Sequence, residues 1–413
     1  MKVFFSSLNG FLRAPASKSL THRSYLLAML SEGVSVIENP LVSEDTEGTL
    51  KAVQQFGAAV KKTDNMVTIA GGTLHSPDEE INCGNSASTM RMLAGIAAQS
   101  EGIVRFTGDD SLKKRPMQPL LSALSSAGVP VEMYDGYAPF SVTGPMKQQE
   151  IAISAELSSQ FISGLMLGAP RTGLTITFTT PAVSKPYLEM TARMMELFGA
   201  EVRRKNTGYI VKKGAYRARR ITVPGDYSSA SYLLAAGVLT GKVTVTGLNP
   251  GSFQGDKAVI TYLAEFGAKL SISGESVTAE KSSLHGVSLD LTDTPDLFPI
   301  LAVCAAFAKG TSTFSGISRL RAKESDRVAA VTAFLKAMGA DISIDADDTC
   351  IIRGGIALHG AKVSSAGDHR IAMAACIAGL AAEGCTEIDD ISCIAVSYPS
   401  FLQDIRNLGA KLE

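Results

Sequence analysis

The chain has 413 residues, of which 45% are hydrophobic and 19% charged, and its formal net charge at pH 7 is −1. This length favours two or three domains with sizeable cores. The balanced charge, with 6% aromatic residues and no tryptophan, argues against a nucleic-acid binder, which usually carries a basic excess.

Metal, membrane and export signals are all missing from the sequence. The six cysteines and five histidines show no metal-ligand spacing. Cysteines in apolar runs, such as Cys304 in AVCAAFA, indicate small buried side chains in a reducing compartment. The segment MKVFFSSLNGFLR lacks the apolar core of a signal peptide, and no long apolar run predicts a membrane span. We therefore expect a cytoplasmic protein without a metal or membrane partner.

A unit of about 70 residues occurs six times along the chain. Each copy contains a helix end, a glycine and an alternating strand, because glycine favours the left-handed backbone of a helix C-cap. These segments are QQFGAAVKK, LSSAGVPVEM, MELFGAEVRR, YLAEFGAKLSI, FLKAMGADISI and IRNLGAKLE. A second series is apolar on nearly every face, which predicts buried helices. Its members are SKSLTHRSYLLAML, NSASTMRMLAGIAA, SSQFISGLMLGA, DYSSASYLLAAGVL, PDLFPILAVCAAFA and DHRIAMAACIAGLAA.

The end of the chain indicates how the six units are grouped. The last repeat glycine, Gly409, leaves too few residues to finish a sheet, so we predict that strand-like residues 2–13 complete the sixth unit. This favours two closed three-unit domains over an open solenoid. The first domain would span 16–222 and the second 1–14 with 225–413, with a ligand site in the cleft between them.

Basic residues recur where these helices are predicted to begin. Helix N-termini carry unpaired N–H groups and the positive end of the helix dipole, so they attract anions and disfavour cations. We therefore expect an anion clamp that needs a ligand, with the densest charge in LRAKESDRVAA. The cations at these positions are Lys18, Arg115, Lys323, Arg327 and Arg370.

The segment SKSLTHR strengthens this hypothesis. Ser19 and Arg23 are four residues apart and share one helix face. Arginine binds carboxylate or phosphate with two parallel hydrogen bonds, and lysine adds a mobile charge. Each of these features also has a purely structural explanation when it is considered alone. Serine and aspartate at helix starts would be caps, KESDR a solvated helix entry and DHR a buried ion pair, and His22 and His369 would be structural. Taken together, the six helix starts favour a site for two or more anionic groups.

The chain resembles the 5-enolpyruvylshikimate-3-phosphate synthase family from about residue 10 to 409. The motifs are APASKSLTHRSYLLA, GNSASTMR, GDDSLKKRPMQPL, LSSQFISGLML, VSKPYLEMT, GDYSSASYLLAA, RAKESDRVAA, GDHRIAMAA and SYPSFLQDI. The sister family, UDP-N-acetylglucosamine enolpyruvyl transferase, is less similar at SKSLTHR, LSSQF and KESDR. Its usual loop cysteine has no counterpart in GDDSLKKRPM.

The resemblance implies an inside-out α/β barrel fold, with two similar domains that each place three repeated units around buried helices. It also implies transfer of the enolpyruvyl group of phosphoenolpyruvate to the 5-hydroxyl of shikimate 3-phosphate, through a tetrahedral intermediate with loss of phosphate. No metal or organic cofactor is implied. We expect a monomer whose partners are these two small molecules.

The resemblance further implies roles for individual residues, by matching motif. Shikimate 3-phosphate would meet Ser19, Arg23, Ser158, Ser159, Ser184, Tyr187, Asp296 and Lys323. Phosphoenolpyruvate would meet Lys18, Arg115, Gln160, Arg327 and Arg370. We hypothesise that Glu324 protonates C3 of phosphoenolpyruvate, while either Asp296 or Lys18 takes the hydroxyl proton.

Three positions depart from the family pattern. Ala87 replaces a glycine found in many members, and its methyl group should narrow the phosphoenolpyruvate pocket against the longer inhibitor glyphosate. Val396 replaces a lysine and Arg319 replaces an asparagine of some members. Two alternatives to the predicted synthase remain open: the sister transferase acting on a UDP-sugar, and a non-catalytic repeat protein that binds an anionic partner.

Overall fold

The structure is a computed structural model that describes residues 1–346 and 348–413. The chain divides into two compact units, one made of Ala16–Val223 and the other of Met1–Pro15 with Pro224–Glu413. Both units contain α-helices and β-sheets, so the predicted α/β class is confirmed.

Twelve α-helices lie in the described part of the chain, and short 3-10 turns precede several of them. Their bounds are α1 Lys18–Leu30, α2 Glu44–Gln55, α3 Ala87–Ala97, α4 Gln118–Ser126, α5 Ser159–Gly168, α6 Lys185–Leu197, α7 Tyr227–Thr240, α8 Val259–Glu265, α9 Phe298–Phe307, α10 Arg327–Ala337, α11 His369–Ala381 and α12 Phe401–Asn407. Within the residues described, none of them has both the length and the apolar character needed to cross a bilayer.

The described residues also form twenty-five short strands. Their bounds are β1 Lys2–Phe4, β2 Asn9–Arg13, β3 Ser31–Glu38, β4 Ala59–Thr63, β5 Met66–Gly71, β6 Ile81–Asn82, β7 Gly102–Thr107, β8 Val131–Tyr134, β9 Tyr137–Gly144, β10 Glu150–Ile153, β11 Leu174–Phe178, β12 Val202–Lys205, β13 Gly208–Val211, β14 Tyr216–Arg217, β15 Arg220–Thr222, β16 Lys242–Thr246, β17 Lys269–Ser273, β18 Ser276–Glu280, β19 Ser288–Asp290, β20 Gly310–Ser315, β21 Asp341–Ile344, β22 Cys350–Gly354, β23 Lys362–Val363, β24 Cys385–Ile388 and β25 Lys411–Leu412.

The six sheets share one topology, in which one parallel pair is followed by two antiparallel pairs. In the unit Ala16–Val223 the strand orders are β14-β3-β5-β4, β6-β7-β9-β8 and β10-β11-β13-β12, and β15 also pairs with β3. In the other unit they are β17-β18-β16-β2, β19-β20-β22-β21 and β23-β24-β1-β25. The common topology explains the sequence repeat, since each repeat supplies most of the strands of one sheet.

The N-terminal segment forms two strands rather than the single strand that the sequence suggests. β1 pairs antiparallel with β24 and β25, and so completes the sixth sheet as predicted. β2 instead lies parallel to β16 in the fourth sheet, with Gly10 opposite Val243. Ser6 separates the two strands, and its amide donates to the carbonyl of Leu380. One segment therefore serves two repeats.

The buried helices of the second series are α1, α3, α5, α7, α9 and α11. In α11, for example, every residue from His369 to Leu380 is buried. Helices α7, α9 and α11 pack against one another, and α3 packs against α5. The core of each unit is therefore built largely on helices that are apolar around their whole circumference.

The repeat glycines adopt the predicted left-handed backbone, with φ of +98° at Gly57 and +94° at Gly339. Three of the six are also covered by a histidine ring. A Cβ at Gly57 would lie 2.6 Å from Cδ2 of His75, and the same packing joins Gly339 to His359. The recurring Leu-His pairs in the sequence therefore mark a packing position of the repeat that was not predicted.

Helices α3 and α5 cross where two glycines face each other. A Cβ on Gly95 would lie 2.3 Å from the carbonyl carbon of Gly164, and one on Gly164 would lie 2.6 Å from the carbonyl oxygen of Arg91. Neither backbone atom can move aside as a flexible side chain would. The crossing therefore requires glycine at both positions, and it fixes how the N-terminal turns of α3 and α5 are placed.

We expect Gly164→Ala to lower the free energy of unfolding of the unit Ala16–Val223 by about 1–3 kcal/mol, because the added methyl overpacks the crossing. Gly214→Ala is the control, since a Cβ there meets nothing within 4 Å. Urea unfolding followed by circular dichroism measures both variants. Equal stability of the two would contradict the proposed steric constraint.

Candidate active site

In the unit Ala16–Val223, the first two turns of α1 carry two cations in different surroundings. Lys18 Nζ lies 2.9 Å from Oδ2 of Asp45 on α2, and both side chains are largely buried. Arg23 is 3% exposed, and its guanidinium donates to Thr191 Oγ1 at 2.8 Å and to the carbonyl of Ser19 at 3.0 Å. No carboxylate among the described residues forms an ion pair with Arg23. Burial lowers its pKa to about 10, so the guanidinium stays charged at neutral pH.

Arg91 joins the N-terminal turns of α3 and α5. Its Nη1 donates to Gln160 Oε1 at 3.0 Å and to Ser158 Oγ at 3.4 Å, and its guanidinium lies 4.8 Å from the centroid of the Phe161 ring. Arg91 was not predicted as a site residue, although it ends the motif GNSASTMR. Its i+4 spacing from Ala87 was the signal available to find it.

The other predicted residues of this unit also lie at helix starts. Ser158 is the N-cap of α5 and its Oγ accepts from the amide of Gln160, while Ser159 is the first residue of the helix. Arg115 is 5% exposed and donates to Asn85 Oδ1 at 3.1 Å, just before Ala87 begins α3.

The start of α6 is built around an unusual backbone. Ser184, its N-cap, has a left-handed φ of +51°, and the residue is 6% exposed. Such a conformation is uncommon outside glycine and often occurs at binding sites. Tyr187, one turn later, accepts a hydrogen bond on its carbonyl from Arg23 Nη2 at 3.3 Å. The starts of α1 and α6 are thus joined through Arg23.

In the other unit, Arg327 is buried to 1% exposure within three carboxylates. Its Nη1 donates to Asp296 Oδ1 at 2.8 Å, its Nη2 to Glu324 Oε2 at 2.5 Å and its Nε to Asp368 Oδ2 at 2.8 Å. Burial disfavours the charged form, but the three carboxylates outweigh it and raise the pKa of Arg327. The guanidinium is therefore permanently charged.

Asp296 is the centre of this cluster. Its two oxygens accept from Arg327 and, at 3.0 Å, from Arg370 Nη2, and Lys323 Nζ lies 3.5 Å away. Burial alone would raise the pKa of Asp296, but Arg370, Lys323 and Arg327 together hold it well below its usual range. Asp296 is therefore ionised in this arrangement and can accept a proton only after a neighbouring cation is drawn away.

The prediction that the cations at helix starts have no negative partner until a ligand binds is wrong for four of them. Asp45 faces Lys18, and Asp296 faces Lys323, Arg327 and Arg370. Asp368, the N-cap of α11 with no exposed surface, supplies a further charge. The reason is that these carboxylates lie 27 residues or more from their cations along the chain, so no local spacing revealed them.

The structure also shows what surrounds the three positions that depart from the family pattern. Ala87 is 6% exposed and is the first residue of α3. Arg319 donates to the carbonyl of Thr292. Val396 ends a 3-10 turn before α12. Within the described residues, no three His, Cys, Asp or Glu side chains are grouped so that they could hold a metal ion.

Comparisons with known proteins agree on one family. A family model described as EPSP synthase (3-phosphoshikimate 1-carboxyvinyltransferase) matches residues 5–405. A 3-phosphoshikimate 1-carboxyvinyltransferase from Methanocorpusculum labreanum is 48% identical over 98% of this chain and 98% of its own length. One from Thermococcus kodakarensis is 43% identical over 97% and 98%, respectively.

Solved structures show the same similarity. An EPSP synthase from Acinetobacter baumannii matches with a TM-score of 0.82 at 28% identity, covering 99% of this chain and 98% of its own. The enolpyruvyl transferase NikO from Streptomyces tendae matches with a TM-score of 0.81 at 18% identity, covering 99% and 97%, which supports the fold alone.

We expect Arg327→Leu to reduce the free energy of unfolding by about 3–5 kcal/mol, because it leaves buried carboxylates without their shared cation. Arg321→Leu is the matched control. Its pairs with Asp326 and Asp348 are exposed, so its loss should cost about 1 kcal/mol or less. Chemical denaturation of both variants at neutral pH measures the difference, and similar losses would contradict a buried cluster.

Proposed function

This chain belongs to the EPSP synthase family, and from that premise we propose how its residues carry out the reaction. The chain is a transferase of aromatic amino acid biosynthesis that moves a carboxyvinyl group to 3-phosphoshikimate. The donor is phosphoenolpyruvate and phosphate is released. The observation that carries the detailed proposal is the cluster of Asp296, Glu324 and Asp368 around the buried Arg327.

The substrates are assigned by the groups that surround each cation. In Ala16–Val223, Arg23 is held by neutral oxygens and forms no ion pair with any described carboxylate, which leaves its positive charge for an anionic group. We assign shikimate 3-phosphate to Ser19, Arg23, Ser158, Ser159, Ser184 and Tyr187 of this unit, together with Asp296 and Lys323. Phosphoenolpyruvate is assigned to Lys18, Arg115, Gln160, Arg327 and Arg370. Both substrates carry phosphate and carboxylate groups, which suit guanidinium donors.

Substrate binding changes the state of Glu324 in this proposal. Four of the five guanidinium N–H groups of Arg327 already point at carboxylate oxygens. An incoming phosphate or carboxylate therefore competes with the carboxylates for the same donors. Glu324 loses its stabilising cation when it is displaced, so its protonated form becomes more accessible. A protonated Glu324 is the general acid that the addition step needs.

In the addition step, C3 of phosphoenolpyruvate gains a proton from Glu324 while C2 develops positive charge. The 5-hydroxyl oxygen bonds to C2, and its proton passes to Asp296 or to Lys18. In the elimination step the C2–O bond to phosphate breaks and C3 returns its proton, which regenerates the double bond. Arginines around the phosphate stabilise the developing negative charge and hold the reactants together.

We also propose the finer description of the fold, in which each unit is an inside-out α/β barrel. Its support is the burial of helices such as α1 and α11 on nearly every face, with sheets that are half exposed. The monomeric state stays a prediction.

We expect Glu324→Gln to lower kcat by about 10²–10⁴, because glutamine cannot donate and recover the proton. Phosphate release with both substrates measures this. Glu275→Gln, the same change at an exposed position of the same unit, should leave kcat unaltered. Wild-type turnover in Glu324→Gln would refute the role of Glu324 as general acid. Separately, if the wild-type protein released phosphate with UDP-N-acetylglucosamine but not with shikimate 3-phosphate, the sister transferase would be favoured.

We expect Ala87→Gly to make glyphosate inhibit at a concentration about tenfold or more lower, since one methyl group in a tight pocket discriminates to about that extent. The Michaelis constant for phosphoenolpyruvate should change much less. Ala97→Gly, at the other end of α3, is the control. An unchanged inhibition constant in Ala87→Gly would show that the methyl does not line the inhibitor site.

A further inference from the structure

Helices α1 and α2 are connected by two parallel side-chain contacts, one turn apart. The first is the ion pair of Lys18 with Asp45 at 2.9 Å. The second joins His22 Nδ1 to Thr49 Oγ1 at 2.7 Å. His22 and Thr49 each lie four residues after the partners of the first contact, so both contacts lie on the same helix faces. The mechanism described above uses Lys18 but leaves His22 without a role.

The second contact continues into α3 through hydroxyl groups. Thr49 Oγ1 lies 2.6 Å from Thr89 Oγ1, and Thr89 Oγ1 donates to Ser86 Oγ at 2.8 Å. Ser86 is the N-cap of α3 and also accepts from the amide of Thr89. His22 is 1% exposed and the three hydroxyl residues have no exposed surface. Water therefore cannot substitute for any member of this chain.

The directions of these hydrogen bonds are determined from the Ser86 end. The Thr89 hydroxyl donates its single proton to Ser86 Oγ. In the contact with Thr49, the Thr89 oxygen must therefore be the acceptor and Thr49 the donor. The Thr49 hydroxyl also lies 3.4 Å from the carbonyl oxygen of Asp45, but its proton goes to the much shorter 2.6 Å contact with Thr89. The Thr49 oxygen therefore accepts from Nδ1–H of His22. The neutral ring is thus held as the Nδ1–H tautomer, and its buried Nε2 has no hydrogen-bond partner among the described residues.

The charges around the ring keep it neutral. Lys18 and Arg23 flank it on α1, and Asp45 on α2 is engaged with Lys18. Burial, followed by the charges of Lys18 and Arg23, lowers the pKa of His22 well below its usual range. Protonation would also place an N–H at Nε2 with no acceptor. His22 therefore acts as a fixed donor rather than as a proton carrier.

We propose that His22 is a positioning residue for the phosphoenolpyruvate subsite. Its one-way chain through Thr49 and Thr89 sets the N-terminal turn of α3 against the turn of α1 that carries Lys18. This inference rests on the proposed function, which assigns Lys18, Arg115 and Ala87 to phosphoenolpyruvate. Ser86 immediately precedes Ala87, and Asn85 accepts from Arg115, so a displaced Ser86 alters the donor subsite directly.

The variants separate a lost donor from a lost side chain. His22→Leu keeps an apolar side chain and removes the donor, and Thr49→Val removes the next hydroxyl at nearly constant shape. His22→Asn retains an N–H close to the position of Nδ1, whereas His22→Gln places its amide nearer to Nε2. Ser24→Ala is the matched control, because this equally buried hydroxyl on α1 donates only to the carbonyl of Leu20 within the helix.

Steady-state phosphate release tests the proposal with each substrate varied in turn. His22→Leu and Thr49→Val should each raise KM for phosphoenolpyruvate up to about tenfold, the worth of one buried hydrogen bond, with KM for shikimate 3-phosphate within about twofold of wild type. The double variant should be no worse than either single variant, because both break one chain. His22→Asn should restore the wild-type KM and His22→Gln should not.

A second measurement does not depend on substrates. Nitrogen-15 NMR of labelled histidine, with His22 assigned from its loss in His22→Asn, should show the neutral Nδ1–H tautomer. An Nε2–H ring would overturn the chain. With an active wild type, equal rises in both Michaelis constants, or no rise, would overturn the positioning role. A wild type that releases no phosphate would instead show that the proposed function has failed, and this inference with it.

Discussion

The burial of the Arg327 guanidinium is the constraint on which the charge cluster of its unit depends. A cation with 1% exposure is tolerated only if nearby carboxylates replace the lost hydration. Those carboxylates come from three places in the chain: the turn before α9, the loop before α10 and the N-cap of α11. The requirement to surround one guanidinium therefore ties the starts of three helices together.

In the unit Ala16–Val223, two buried arginines contact neutral hydrogen-bond acceptors, whereas Lys18 is paired with Asp45. Arg23 is buried among a threonine hydroxyl, a serine hydroxyl and two backbone carbonyls, and Arg91 among an amide, a hydroxyl and an aromatic ring. Such partners satisfy the hydrogen bonds of Arg23 without cancelling its charge. In the other unit, carboxylates surround Arg327 and balance its charge.

Much of the fold could be predicted from the sequence because it is repetitive. Six glycines at a regular interval predicted six helix ends, and their positive φ confirms them. Contacts between repeats were harder to predict. The sequence showed Lys18 and Arg327 as cations but not Asp45 and Asp368 as their partners, since those pairs depend on tertiary packing. Arg91 differs from these pairs, because its local spacing from Ala87 would have sufficed to predict it.

The dual use of residues 2–13 has a consequence for how the chain acquires its structure during synthesis. The unit Ala16–Val223 is continuous, so all of its pairing partners have left the ribosome before the rest of the chain is made. The opening segment must wait, since Met1 bonds to Ile388, 387 positions away. Nascent chains should thus carry one finished half while β2 waits for β16, and β1 remains unpaired and open to chaperones until β24 and β25 have been made.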